Sequence, residues 1–243
     1  MKKKRIVITG GSGRFGKVIN RDFDKKKYLI YFPTKTNLNI LKINSIKKYL
    51  KSKKPNYLIH LAGLSRPMSL HDKNINKSID LNIIGTANIT KICSDLNIKL
   101  IYISTSYVYP GEKGNYKEVD PIKPINNYGL SKMGGEASVR MYKNSLVIRA
   151  SMTEKPFIHT KAFFDFITNF IYHEDFVKLL FKVINKKGII NIGGKSQSVY
   201  HFAKSEKLKI KTISAKKLFN KTKKIDIGVN LSKLNKIIKK VKN

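Results

Sequence analysis

Short apolar runs recur along the first 150 residues, and each is followed by a segment in which apolar residues return every three or four positions. A short, nearly continuous apolar run is typical of a strand buried on both faces, whereas the wider spacing is typical of an amphipathic helix. Strands that alternate with helices predict βαβ units and an α/β fold with a doubly wound parallel sheet. The predicted strands are residues 5–9, 28–32, 56–62, 99–105 and 145–150, and the predicted helices are residues 15–23, 45–53, 75–95 and 128–142.

The alternation is less regular after Ala150. Lysines lie opposite the apolar stripe of the last predicted helix, which is the pattern of a C-terminal helix packed on its own core. The predictions for this part are a Phe-rich helix at 160–172, a helix at 175–184, a strand at 188–194, a short strand near 208–213 and a C-terminal helix at 231–241.

Charge is the most unusual feature of the composition. Lys and Arg number 50 against 15 Asp and Glu, which gives a formal charge of +35, but only six of the 50 are arginine. Arginine is the residue that bidentate recognition of phosphates and bases favours. Lys, Asn and Ile are all abundant and all have A/T-rich codons, so genome composition explains the excess better than a specific nucleic-acid partner does.

The remaining composition favours a soluble cytoplasmic protein. Cys93 is the single cysteine, which excludes an intrachain disulfide, and its apolar neighbours predict a buried helix face. No apolar run approaches the roughly 20 residues of a membrane-spanning helix, so no membrane partner is predicted. The five histidines have no metal-ligand spacing, and we predict no metal.

A glycine loop follows the first predicted strand. "TGGSGRFG" places Gly10, Gly13 and Gly16 at the start of the first helix, where small residues let the backbone approach a pyrophosphate. An acid after the second strand would bind the ribose 2′-hydroxyl of NAD. That position carries no acid, and Arg14 and Lys35 offer positive charge to a 2′-phosphate, so NADPH is favoured over NADH.

A tyrosine and a lysine lie four residues apart at the start of the last helix of the first part. On a helix, Tyr128 and Lys132 share one face. A neighbouring ammonium stabilises the phenolate and lowers the pKa of a tyrosine, which makes the pair suitable as a proton donor to a carbonyl under reduction. Thr105 ends the fourth strand, at the edge where such sheets bind ligands, and can donate a hydrogen bond to that carbonyl.

With these residues in view, the chain resembles the extended short-chain dehydrogenase/reductase superfamily, and within it the dTDP-4-dehydrorhamnose reductase group. The likeness is strong over about the first 150 residues and patchy afterwards. It rests on "TGGSGRFG", "LNI", "KPNYLIHLAG", "NIIGTANI", "STSYVYPGEKGNY", "EVDPIKPINNYGLSKMGGE" and "LVIRAS".

The resemblance implies a role for each matching residue. Thr105 would polarise the substrate carbonyl, Tyr128 would protonate the alkoxide, and Lys132 would lower the tyrosine pKa and hold the nicotinamide ribose. The cofactor would further be bound by Gly10, Gly13, Arg14, Phe15, Gly16, Lys35, Asn39, Ile40, Ala62 and Gly63. Ser65, Arg66 and Met152 are candidates for substrate contact. The implied reaction is reduction of the 4-keto group of a nucleotide-linked 6-deoxy sugar by NADPH, in the synthesis of dTDP-rhamnose and surface polysaccharide.

The resemblance also implies a division of the chain. A Rossmann-like NADP-binding domain is predicted at residues 1–152 and a small substrate-binding region at 153–243, of which a strand at 188–193 rejoins the main sheet. Asn39 replaces an acid usual in the family, Met152 replaces a tryptophan, and the segment from Met152 to Asp175 is short. Two alternatives therefore stay open: an epimerase or dehydratase with bound NAD, and a non-catalytic NADP-binding regulatory subunit. A homodimer is also left open.

Overall fold

The computed structural model describes residues 3–206 and 209–240. The chain divides into two compact units that interleave along the sequence. Unit 1 consists of Met1–Ser104, Asn126–Ile148 and Ile184–Ile189, and unit 2 consists of Thr105–Ile125, Arg149–Val183 and Ile190–Asn243. Ile148, where the second segment of unit 1 ends, lies close to the predicted boundary at residue 152, and that domain boundary stays a prediction.

Strands and helices alternate as far as β5, and short strands dominate afterwards. The strands are β1 (Lys4–Thr9), β2 (Tyr28–Tyr31), β3 (Tyr57–His60), β4 (Lys99–Thr105), β5 (Ser145–Ala150), β6 (Met152–Thr153), β7 (Lys161–Phe163), β8 (Phe166–Thr168), β9 (Ile171–Tyr172), β10 (Gly188–Ile192), β11 (Gln197–Ser198), β12 (Lys211–Ile213) and β13 (Ile225–Asp226). The helices are α1 (Arg14–Asp22), α2 (Ile43–Lys53), α3 (Leu70–Lys73), α4 (Ile75–Ile79), α5 (Gly85–Asp95), α6 (Asn127–Arg140), α7 (His173–Val183), α8 (Val199–Lys204), α9 (Ala215–Leu218) and α10 (Ser232–Lys240), with a π-helical turn at Asp80–Ile84 and a 3₁₀ turn at Ser106–Val108.

A six-stranded sheet has the order β10-β5-β4-β3-β1-β2. β1 pairs in parallel with both β2 and β3, and β3 pairs in parallel with β4. The strand order reverses between β1 and β3, and the crevice at such a switch point is where doubly wound sheets bind ligands. The prediction of a doubly wound parallel sheet is confirmed, and β10 is its edge strand beside β5.

The core of unit 1 lies between this sheet and its helices. Val7, Leu58 and Leu100 of the strands pack with Leu50 of α2 and Val139 of α6, and all are completely buried. All seven residues of β4 are buried, which explains its continuous apolar pattern. Cys93 is also buried in this core, as predicted. The single helix predicted at 75–95 consists instead of α4, the π-helical turn and α5 in succession.

Unit 2 is built on small sheets and an aromatic core. β8 pairs with β11 and β13, and β12 pairs with β7. Its core contains Phe157, Phe166, Phe202, Ala203 and Ile225. The predicted C-terminal helix is α10, and residue 241 at its predicted end lies outside the described residues, as does residue 208 of the strand predicted near 208–213.

The helix predicted at 160–172 is wrong. The structure has β7, β8 and β9 there. In β8 the side chains of Phe166 and Thr168 are buried and that of Ile167 is half-buried, which is the two-residue period of a strand. Phe, Ile and Thr fit a pleated, half-buried surface, and the pairing of β8 with two neighbours outweighs the helical spacing of the phenylalanines.

Within residues 3–206 and 209–240, no helix combines the length and apolar character needed to cross a membrane. The same residues contain no group of three or more His, Cys, Asp or Glu side chains arranged to hold a metal ion.

Candidate functional site

The glycine loop lies at the switch point, between β1 and α1. Gly10 has a φ of +71°, and a Cβ there would lie 2.6 Å from the backbone nitrogen of Ala62. A residue other than glycine would therefore be strained in its backbone and would collide with the loop after β3. A Cβ on Gly16 would lie 2.5 Å from the carbonyl oxygen of Gly11, so the loop folds tightly onto the first turn of α1.

The N-terminus of α1 faces the same loop. Gly13 is the N-cap, with extended backbone angles, and none of the side chains that the structure describes caps it. Arg14 begins the helix and is exposed, whereas Phe15 is buried. Helix-end N–H groups and an adjacent guanidinium attract anions. The loop therefore fits the pyrophosphate of a dinucleotide, because its backbone comes close to any ligand there without side chains in the way.

The segment after β2 carries the predicted adenosine contacts. Lys35 is exposed. The side-chain oxygen of Asn39 accepts a hydrogen bond from the backbone nitrogen of Leu41 at 3.0 Å, and Ile40 is buried. This bond holds Asn39 in a local turn and leaves its amide NH₂ as the group with which it could reach a base. The contact of Lys35, Asn39 and Ile40 with the cofactor stays a prediction.

Asn82 joins the loop after β3 to α6, and the sequence pattern predicted no role for it. Its side chain accepts a hydrogen bond from the backbone nitrogen of Leu64 at 2.7 Å and donates to the Leu64 carbonyl at 2.9 Å and to the hydroxyl of Ser131 at 2.8 Å. A Cβ on Gly63 would lie 2.6 Å from the Asn82 side-chain oxygen. Asn82 is one of several polar residues between positions 75 and 95, and nothing in the sequence distinguishes it from the others.

The predicted tyrosine and lysine occupy the first turns of α6. The helix begins after Asn126, whose side chain accepts a hydrogen bond from the backbone nitrogen of Gly129 at 2.8 Å. The ring of Tyr128 meets the ring of His71 edge-on, with centroids 5.2 Å apart. Lys132 is half-buried, and its Nζ lies 4.2 Å from the centroid of the Tyr102 ring.

Burial governs the charges around Lys132. It lowers the pKa of Lys132 to about 7, and the carboxylate of Glu136 acts in the opposite direction. Burial, with Lys132 adding to it, lowers the pKa of His60 to about 3, and burial also lowers the pKa of His71. Both imidazoles are therefore neutral near pH 7. Burial raises the pKa of Tyr102, with Tyr128 and Glu136 adding to the effect, so its phenol is neutral as well.

The other predicted residues are distributed over both units. Thr105 is the last residue of β4 and belongs to unit 2, where its Oγ1 accepts a hydrogen bond from the backbone nitrogen of Tyr107 at 3.3 Å. Ser65 is exposed and Arg66 half-buried in the loop after β3, in unit 1. Met152 is half-buried in β6, in unit 2. The roles of these four residues stay predictions.

Comparison with known proteins identifies a family for most of the chain. The family model described as "RmlD substrate binding domain" matches residues 4–154. Methionine adenosyltransferase 2 subunit beta of Xenopus laevis is 29% identical over 143 residues, which are 56% of this chain and 42% of that protein. The spore coat polysaccharide biosynthesis protein SpsK of Bacillus subtilis is 29% identical over 150 residues, 60% of this chain and 52% of that protein. The chain thus spans about half, or less, of the length of these two relatives.

The fold also matches solved structures. A dTDP-4-dehydrorhamnose reductase from Bacillus anthracis, solved in complex with NADP, has a TM-score of 0.86 and 24% identity, over 96% of this chain and 92% of that one. Because the match covers 96% of this chain, it includes most of the part after Ala150, in which the sequence likeness is patchy. With a family model that matches well over half of its residues, the chain belongs to the RmlD substrate-binding-domain family and has that family's Rossmann-like α/β fold.

Proposed function

We propose that the protein is an NADPH-dependent reductase of a nucleotide-linked 4-keto-6-deoxy sugar. The observation that carries the proposal is the pair of Tyr128 and Lys132, one turn apart at the start of α6, with a lysine whose pKa burial lowers to about 7. A lysine with a pKa in this range can hold or release a proton near neutral pH. A phenol that shares a helix face with it is a suitable proton donor.

The cofactor is held by the residues of the switch point. Gly10 and Gly13 admit the pyrophosphate to the N-terminus of α1, and Arg14 and Lys35 supply positive charge for a 2′-phosphate. Ala62 and Gly63 lie in the loop against Gly10 and border the central part of the cofactor. When bound, NADPH supplies a hydride to the carbonyl carbon of the substrate.

The protein's own residues handle the oxygen and the proton. The Thr105 hydroxyl donates a hydrogen bond to the carbonyl oxygen and polarises it. The Tyr128 hydroxyl gives its proton to the alkoxide oxygen that the reduction produces, and the ammonium of Lys132 stabilises the resulting phenolate. Overall, the ketone, NADPH and one proton become the alcohol and NADP⁺, and solvent returns the proton to Tyr128.

The names of relatives support the substrate class. One solved neighbour is a dTDP-4-dehydrorhamnose reductase with NADP bound, and one curated relative acts in spore coat polysaccharide biosynthesis. We infer from these a sugar-nucleotide substrate and a place in the supply of a surface polysaccharide. We also infer a cytoplasmic location, because NADPH and sugar nucleotides are both available in the cytoplasm.

The test is NADPH oxidation by the purified protein with a panel of nucleotide-linked 4-keto-6-deoxy sugars, and with NADH in parallel. Tyr128→Phe should abolish turnover and leave the Kd for NADPH nearly unchanged, because it removes only the proton that Tyr128 gives. Tyr142→Phe is the matched control, since it removes a tyrosine hydroxyl just beyond α6 that donates to the backbone carbonyl of Ile98. Full activity in Tyr128→Phe would contradict the assignment.

A regulatory subunit is the second candidate, and the likeness to methionine adenosyltransferase 2 subunit beta favours it. That likeness covers 42% of the relative's length. Tight NADPH binding without turnover on any member of the panel would support this candidate. An epimerase or dehydratase would instead retain NAD through purification, which mass spectrometry of the released nucleotide detects.

A further inference from the structure

The lysine of the proposed catalytic pair rests on the face of an aromatic ring. Nζ of Lys132 lies 4.2 Å from the centroid of the Tyr102 ring. Tyr102 lies in the middle of β4 and is completely buried. The negative face of an aromatic ring attracts a cation, and the attraction is larger where water is excluded. The ring of Tyr102 is therefore placed to stabilise the charged form of Lys132 and to fix the position of its ammonium.

The same tyrosine also contacts the backbone of Lys132. The hydroxyl of Tyr102 donates a hydrogen bond to the Lys132 carbonyl oxygen at 3.1 Å. A Cβ on Gly135 would lie 2.7 Å from this hydroxyl, so a glycine at that position leaves the space that the bond requires. One side chain of the sheet thus binds the lysine at both ends, at its backbone carbonyl and at its ammonium.

His60 fixes the orientation of the Tyr102 ring. The ring stacks on that of His60, with centroids 5.9 Å apart and planes inclined by 28°. His60 forms hydrogen bonds with the hydroxyl of Thr9 at 2.7 Å and with that of Thr86 at 3.1 Å. Because the pKa of His60 is about 3, the imidazole is neutral and places no second positive charge beneath the ring.

The groups that act electrostatically with Lys132 come from four elements. Glu136 of α6 raises the pKa of the lysine, and its carboxylate accepts a hydrogen bond from the hydroxyl of Ser104 at 2.8 Å. The pKa values of His60 on β3 and His71 on α3 are each lowered by the charge of Lys132. Tyr102 on β4 is the neutral partner, and it is the one that lies against the ammonium itself.

We propose that Tyr102 is a positioning residue for Lys132, which it holds through a cation–π contact at the ammonium and a hydrogen bond at the backbone. The inference rests on the proposed reductase function for its significance, since Lys132 acts there through Tyr128. The contact itself can be tested without turnover. Tyr102 does not need to touch substrate or cofactor.

The experiment replaces Tyr102 in the full chain by phenylalanine and then by phenylalanines with one, two and three ring fluorines. Each fluorine weakens the negative face of the ring and hardly changes its shape. The pKa of Lys132 is followed by NMR of ¹³C-lysine-labelled protein, with the signal assigned by its loss in Lys132→Arg. We expect the pKa of Lys132 to fall progressively, by about 0.4 to 1.5 across the series.

The comparison of wild type with Tyr102→Phe isolates the hydroxyl. Loss of its hydrogen bond should lower kcat about 2- to 10-fold and leave KM for the sugar unchanged. Tyr142 provides the control series, because its hydroxyl also donates to a backbone carbonyl, that of Ile98, at 3.1 Å. The same fluorinated residues at position 142 should leave the pKa of Lys132 unchanged.

The outcomes separate the positioning role of Tyr102 from the proposed reductase function. A pKa of Lys132 that stays constant along the Tyr102 series, or that moves equally along the Tyr142 series, overturns the positioning role even if the protein reduces a sugar. A pKa that follows the fluorination in a protein without turnover on any substrate supports the positioning role and counts against the reductase.

Discussion

Two adjacent glycines on α6 allow the packing of that helix to be tested with its helix propensity held constant. A Cβ on Gly135 would lie 2.7 Å from the hydroxyl of Tyr102 and still closer to the carbonyl oxygen of Asn82. A Cβ on Gly134 would meet only the side chain of Ile83, at 2.8 Å. A backbone carbonyl cannot turn away from the new methyl group, whereas an isoleucine side chain can.

The expected energies follow from these contacts. A glycine-to-alanine change in a helix interior raises the free energy of unfolding by about 1 kcal/mol through helix propensity alone. Overpacking against fixed atoms costs about 1 to 3 kcal/mol. Gly135→Ala should therefore destabilise unit 1 by up to about 2 kcal/mol, while Gly134→Ala should be neutral or stabilising by up to about 1 kcal/mol. Because the propensity gain is common to both, the two variants should differ by the overpacking cost, about 1 to 3 kcal/mol.

The assay uses the single cysteine as a reporter for unit 1. Cys93 is completely buried in α5, and burial raises the pKa of its thiol, so it should react with a thiol reagent only when unit 1 opens. Labelling in a series of urea concentrations gives the free energy of opening for each variant. If the free energies of opening of the two variants differ by less than about 0.5 kcal/mol, α6 does not pack closely against Asn82 and Tyr102 at Gly135.

Three further predictions concern single residues. Asn82→Ala removes three hydrogen bonds that join the loop after β3 to α6. It should lower the free energy of unfolding, measured by urea titration, by about 2 to 4 kcal/mol. A loss below about 0.5 kcal/mol would contradict the burial of these groups. Gly10→Ala places a methyl group against Ala62 and should weaken NADPH binding in calorimetry at least about fivefold, given a strain of about 1 to 3 kcal/mol. Unchanged affinity would exclude the loop from the cofactor site. Burial alone raises the pKa of Asp165, but hydrogen bonds from Ser214, Ala215 and Lys216 more than offset this effect and hold the pKa below 3.8. The stabilisation of unit 2 by the Asp165 carboxylate is therefore present above pH 3.8 and is lost as the pH falls through the lower folded-state pKa. The stability difference between wild type and Asp165→Asn should shrink in acid, and a constant difference from about pH 6 to about pH 3 would refute this.

The first part of the fold could be predicted because one physical signal dominates it. Strands such as β4 and β5 are buried on both faces, and their apolar runs predicted their ends to the residue. The position of Tyr128 and Lys132 one turn apart on a helix was also predictable, from their four-residue spacing within a segment of helical pattern. The glycine loop could be recognised because strand, turn and helix follow one another in the order that dinucleotide binding requires.

The residues around Lys132 were not predictable in the same way. Tyr102 and His60 stand within apolar runs, where a sequence pattern shows only burial and not which ring faces which ammonium. The helix predicted at 160–172 failed for a related reason, because sheet pairing in unit 2 decides the conformation and involves partners far along the chain, such as Ile225 with Phe166. Asn82 was passed over because its hydrogen bonds reach residues 18 and 49 positions away.

The interleaving of the two units has a consequence for synthesis on the ribosome. The chain passes between the units five times, and the last segment of unit 1 is Ile184–Ile189. Unit 1 therefore cannot be completed before residue 189 has emerged, and by that point the first two of the three segments of unit 2 have been made as well. A truncated gene that ends at residue 152 would lack β10, the edge strand beside β5. Without β10, β5 would be the exposed edge of the sheet and could pair with other chains, so such fragments should aggregate.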